Sequence, residues 1–92
     1  MGGVTEFMKV AALAQANDLD ISAHGSQYVH IHLMAAIPNG LILEYYHESF
    51  DPMHGKIWKH ELDIEEGKVR APDRPGFGLE PRWETLEPYR VT

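Results

Sequence analysis

Apolar residues recur along this chain in two rhythms. In residues 6–16, Phe7, Val10, Ala11 and Ala14 fall at i, i+3, i+4 and i+7, one stripe of a helix. Thr5 reads as its N-cap, the alanines suit close packing on a sheet, and Asn17 and Asp18 are natural places for it to stop. Residues 19–23 then read as a short strand running into His24. Residues 26–37 carry both rhythms: Val29-His30-Ile31-His32-Leu33 alternates as a strand would, while Val29, Leu33, Ala36 and Ile37 keep helical spacing. A length of about eleven residues, Ser26 as a cap and Pro38 as a stop decide for a helix. Asn39-Gly40 turns the chain into residues 41–46, a second strand that is apolar nearly throughout, as buried parallel strands are.

The pattern then changes. Residues 47–55 read as a loop broken by Pro52 and Gly55. Trp58, His60, Leu62 and Ile64 alternate with Lys59, Glu61 and Asp63, a half-buried strand. Glu66-Gly67 supplies a two-residue turn, and residues 68–70 return as the hairpin partner. Residues 72–78 form a proline- and glycine-rich meander, and Pro81 opens a short helix over 82–87. Trp58, Phe77, Trp83 and Tyr89 are expected in the core of this carboxyl-terminal part.

The order strand, helix, strand makes the two strands parallel neighbours, with His24 and Glu44 at the same end. In α/β folds the carboxyl ends of strands are where ligands bind and chemistry is done. Two such strands are not a stable sheet, because they need cover on both faces and pairing on both edges. Residues 1–46 therefore read as the tail of a larger parallel barrel or sheet.

Composition narrows the field. The 92 residues are short for one domain, and a chain of this size buries only about 60–65% of its unfolded surface. At 43% hydrophobic and 24% charged it is an ordinary globular sequence rather than a disordered one. A net charge of −6, with eight scattered Lys and Arg, leaves no footprint for nucleic acid or an anionic membrane. Without cysteine there is neither a disulfide frame nor a thiolate metal site. No stretch approaches the roughly 20 apolar residues of a membrane span, and the amino end lacks a signal-peptide pattern. The expectation is a cytoplasmic protein.

His24, followed by Gly25, is either a structural histidine bonded to a backbone carbonyl or a general base, since imidazole is largely neutral at pH 7. Glu44 is either one half of a salt bridge or a desolvated carboxyl that stays protonated and donates a hydrogen bond. His30 and His32, two apart on a helix, point to nearly opposite sides and cannot share one ion. His47, His54 and His60 have no partner spacing that singles them out, and Asp63, Glu65 and Glu66 read as a solvated face. Gly2-Gly3 before the first helix reads as a simple turn rather than an anion cradle.

Taken in order, Gly2-Gly-Val-Thr-Glu6, Ala11-Ala-Leu-Ala-Gln-Ala16, Ile21-Ser-Ala-His-Gly25, His30-Ile-His-Leu-Met-Ala-Ala-Ile-Pro-Asn39, Leu43-Glu-Tyr45 and Asp73-Arg-Pro-Gly-Phe-Gly78 resemble the late part of the mandelate racemase/muconate lactonizing enzyme branch of the enolase superfamily. The resemblance covers practically the whole chain. It implies an α/β fold: the tail of a (β/α)7β-type barrel (helix, strand, helix, strand) over 1–55, then a β-hairpin and short helix over 56–92 that complete an α+β capping domain. The family removes the proton next to a carboxylate while a bound Mg²⁺ stabilises the enediolate. By resemblance His24 is the base at the seventh strand, and Glu44 hydrogen-bonds the substrate carboxylate or enediolate from the eighth. The aspartate that pairs with this histidine, the three carboxylate metal ligands and the Lys-x-Lys pair lie upstream in the family and have no counterpart here.

The expectation is thus the carboxyl-terminal part of a Mg²⁺-dependent acid-sugar dehydratase, inactive alone and working with the missing amino-terminal portion of the same enzyme on a small carboxylate or acid-sugar substrate. A hydroxy-acid racemase or epimerase is the near alternative. A stand-alone domain that only binds or assembles is the distant one. A homo-oligomer is expected so that strand edges are paired.

Overall fold

The computed structural model describes residues 2–92, the side chain of His54 apart, so the expectation for that histidine lies outside the described residues. These residues divide into two compact units, one ending at Tyr45 and the other running Tyr46–Thr92.

The first unit is built on two helices, α1 (Val4–Ala16) and α2 (Gln27–Ala36), packed against each other. Phe7 and Ala11 of the expected stripe are buried with Ala23, Leu33 and Ile37, and Ile21 and Met34 pack on that cluster. Val10 stays exposed. Thr5 does not cap α1: the helix starts one residue before it, at Val4. The Gly3 carbonyl accepts the first intrahelical bond, from the Phe7 N–H at 3.0 Å, so Gly3 occupies the cap position.

At the other end, the Leu19 N–H bonds the Ala14 carbonyl at 2.9 Å and the Asp18 N–H bonds the Gln15 carbonyl at 3.0 Å. With Asp18 left-handed at φ 56°, this is a Schellman stop, with aspartate where glycine is usual.

The strand-or-helix ambiguity of residues 28–33 resolves as helix. Its buried face carries Tyr28 and Ile31 besides Leu33, which the expected spacing omitted. Ser26 stands at the N-cap, but without a side-chain bond. Its backbone is left-handed, and its carbonyl takes the Val29 and His30 N–H groups at 3.0 and 2.9 Å.

The two expected strands meet in one parallel rung, Ile21 with Gly40. The Ile21 N–H donates to the Asn39 carbonyl and the Leu41 N–H to the Ile21 carbonyl, each at 2.9 Å. Beyond that rung the segments are extended but unladdered. Leu41 and Ile42, expected to be buried, are 68% and 67% exposed. A strand lying inside a parallel sheet needs a neighbour on each side, and each of these has one.

Asn39, expected only as a turn residue, is buried. Its Nδ2 donates to the carbonyls of Ala11 and Leu19, each at 3.0 Å, tying α1 to the start of the Ile21 segment.

In the second unit, residues expected as loop contain a one-turn helix, α3 (Pro52–Lys56). The hairpin forms as read: β1 (Asp63–Glu65) pairs antiparallel with β2 (Lys68–Arg70), Ile64 opposite Val69. Glu66 and Gly67 both have positive φ, as a tight hairpin turn demands. The strand expected to run from Trp58 is shorter, because Trp58 pairs instead with Pro81 in an isolated antiparallel bridge. Lys59 Nζ holds Glu80 Oε1 at 2.8 Å beside that bridge. A single-turn helix, α4 (Trp83–Leu86), follows and tightens into a 3-10 turn, Glu87–Tyr89.

Of the aromatic residues expected in the core here, Trp58 is half-buried, whereas Trp83, Tyr89 and Phe77 are 67%, 64% and 42% exposed; among the described residues of this unit Leu62 is the buried large apolar side chain. Among the described residues no helix is long and apolar enough to cross a membrane.

Candidate functional site

From the Ile21–Gly40 rung the two segments run on in the same direction, one to His24 and the other to Glu44. The structure brings these two side chains together, with His24 Nε2 3.8 Å from Glu44 Oε1. That separation exceeds a hydrogen bond, so the pair attracts as ions only when the imidazole is protonated.

The two side chains are unequal. The imidazole is 89% exposed and the carboxylate 43%. Glu44 is held from below, since the Gly25 N–H donates to Oε1 at 3.0 Å. Gly25 is buried with φ 57°, a conformation that L side chains rarely adopt, and Ser26 follows at φ 45°. Two successive left-handed residues reverse the chain at once, so His24 projects outward while α2 begins directly behind it. Glycine after His24 takes this left-handed setting without a Cβ penalty.

His30 closes the same turn. Its Nδ1 lies 2.7 Å from the Gly25 carbonyl, and because a carbonyl only accepts, Nδ1 carries the proton. Its ring also stacks on Phe7, centroids 6.3 Å apart with 23° between planes. An open hollow of about 380 Å³ beside His24 is lined mainly by Val4, Phe7, Ala23, Val29 and His30. The sequence offers His30 as a core or surface histidine rather than a metal ligand, and its bond to Gly25 is not evident there.

The other candidates fall elsewhere. His32 is half-buried on α2. His47, in the second unit, accepts the Ser49 N–H on Nδ1 at 3.2 Å, a local turn contact. His60 is exposed, and so are Asp63, Glu65 and Glu66 around the hairpin, the solvated face expected of them. Among the described residues no three His, Asp or Glu side chains gather in a group able to hold a metal ion. Within the second unit, the Lys59 ammonium beside Glu80 bonds that carboxyl and holds it below its ordinary range, and Glu80 in turn raises Lys59.

Comparison with known proteins agrees with this architecture. The family model for the enolase C-terminal domain-like fold matches residues 1–85. The chain belongs to that enolase family, on its mandelate racemase/muconate lactonizing enzyme branch. It is 34% identical over 90 residues to the 3,6-anhydro-alpha-L-galactonate cycloisomerase of Streptomyces coelicolor, covering 94% of this chain and 23% of that protein. It is 32% identical over 95 residues to the L-rhamnonate dehydratase of Saccharopolyspora erythraea, covering 96% of this chain and 24% of that one. Among solved structures it superposes with a TM-score of 0.88 and 29% identity on a mandelate racemase/muconate lactonizing enzyme from a marine actinobacterium in complex with magnesium, covering 99% of this chain and 26% of that chain. The chain thus spans about a quarter of the length of the relatives it matches.

Proposed function

We propose that this chain supplies the last units of a (β/α)-barrel and a returning capping segment to a sugar-acid dehydratase, with His24 as base and Glu44 as carboxylate-binding group. The observation that carries the proposal is the convergence of these two side chains, 3.8 Å apart at a common end of two parallel segments. Acid-sugar dehydration also appears in the name of a relative aligned along 96% of the chain.

In the proposed reaction, His24 Nε2, the ring nitrogen turned toward Glu44, takes the proton from the carbon next to the substrate carboxylate. Glu44 in its protonated form donates a hydrogen bond to a carboxylate oxygen as charge builds there. The electron pair left on that carbon forms the double bond as the neighbouring C–O bond breaks. The hydroxyl leaves as water with the proton from the imidazolium, and the enol becomes a 2-keto-3-deoxy acid. General acid–base work of this kind supplies roughly 10²–10⁴ in rate.

The described residues do not fit a magnesium site. In the assembled enzyme the cation would be held by polypeptide beyond these residues. The same polypeptide would cover Leu41 and Ile42, which are left 68% and 67% exposed.

The test supplies the chain with that polypeptide and magnesium, presents a panel of aldonic and aldaric acids, and measures keto-acid formation with semicarbazide. Water loss from at least one acid sugar is expected. Loss of optical rotation without keto acid would point to the racemase or epimerase reading. A fully assembled, magnesium-loaded protein that does neither would overturn the assignment.

A further inference from the structure

We infer that His30 is a positioning residue that sets the geometry of the His24–Glu44 pair through the backbone of Gly25; this rests on the reading of that pair given above. Gly25 lies between two peptide planes. The plane before it, shared with His24, is pinned because its N–H donates to Glu44 Oε1 at 3.0 Å. The plane after it, shared with Ser26, is pinned because its carbonyl accepts from His30 Nδ1 at 2.7 Å.

A glycine has the widest torsional freedom of any residue, so one anchored plane leaves the other free to rotate about the Cα. With both planes held, the left-handed setting at φ 57° is fixed. The direction in which His24 leaves the chain is fixed with it.

His30 suits this task. It sits in the first turn of α2, where its own N–H is already bonded to the Ser26 carbonyl at 2.9 Å. Its ring is kept in place by stacking on Phe7, one of the most buried side chains of the first unit. The bond to Gly25 requires only that Nδ1 carry a proton, because the carbonyl can only accept.

The test compares His30→Leu, which removes the donor, with His30→Asn, whose amide NH₂ takes the place of Nδ1. Amide hydrogen exchange of the full chain is followed residue by residue. Losing one hydrogen bond to a carbonyl should speed exchange at the Gly25 N–H about fivefold in His30→Leu. The Ile21 and Leu41 amides, which form the parallel rung, should keep wild-type rates. His30→Asn should return Gly25 to within about a factor of two of wild type.

Equal acceleration of all three amides in His30→Leu would make His30 an ordinary packing residue and overturn the inference. So would unchanged exchange at Gly25, or no rescue by asparagine. Turnover is not needed for this result, so the clamp and the dehydratase reading fail separately. In an active enzyme His30→Leu should lower kcat while leaving KM near wild type, and His30→Asn should restore it.

Discussion

Replacing Asn39 by aspartate should damage this fold more than replacing it by alanine, although aspartate is the closer match in shape. Asn39 is 9% exposed, and its Nδ2 donates to two carbonyls, those of Ala11 and Leu19, each at 3.0 Å. Carbonyls only accept, so the amide must present its NH₂ to them. Truncation to alanine loses two bonds worth about 1 kcal/mol each. Part of that is returned, because Asn39 Oδ1 is buried without a hydrogen-bond partner and leaves with the side chain. A net loss of about 1–2 kcal/mol follows.

Asn39→Asp places an acceptor-only carboxylate against the same two acceptors, or else takes up a proton and donates a single bond. Either route raises the loss to about 3–4 kcal/mol. For a domain of this size, stable by roughly 5 kcal/mol, that is most of what there is. Urea unfolding followed by far-ultraviolet circular dichroism measures the order directly. The Asn39→Asp variant should also regain stability as pH falls, because its burial disfavours the charged form. An Asn39→Asp variant as stable as Asn39→Ala would refute the donor assignment. It would also remove the clamp that fixes the Ile21–Gly40 rung below the site.

Three further outcomes follow from local geometry. Asp18→Gly should raise stability by about 0.5–1 kcal/mol in the same urea assay, since glycine carries no Cβ penalty at the left-handed stop of α1. Gly40→Ala should lower stability by about 1–2 kcal/mol, because the added methyl would lie 3.0 Å from the Met34 carbonyl and 3.2 Å from Met34 Cε. Glu80→Gln should cost little, since the Lys59–Glu80 pair is exposed and screened by salt. The cost should be seen at neutral pH, vanish as pH falls through the lowered Glu80 value or rises through the raised Lys59 value, and shrink in about 1 M salt; unfolding midpoints with and without the substitution check it.

Both main helices were legible in the sequence because their stops and spacing are local properties: Pro38 ends α2 wherever α2 packs. The hairpin was legible for the same reason, through Glu66-Gly67. The meeting of His24 and Glu44 was also legible, since strand–helix–strand order alone sets two parallel ends side by side.

The extent of the strands was not legible. Apolarity at Leu41, Ile42, Trp83 and Tyr89 says that a residue favours burial, but not which polypeptide buries it. The roles of Asn39 and His30 were hidden because each acts through backbone groups that no residue pattern encodes: the Ala11 and Leu19 carbonyls for one, the Gly25 carbonyl for the other. The α3 turn was hidden by its own Pro52 and Gly55, which read as breakers although proline suits the first position of a helix.

The most direct measurement is turnover by the assembled, magnesium-loaded enzyme carrying His24→Asn, on an acid sugar that the wild type dehydrates. With the fold intact by circular dichroism, keto-acid formation should fall at least about a hundredfold, the contribution of a positioned general base. Near-wild-type turnover would contradict the account, because His24 would then stand beside Glu44 without moving a proton.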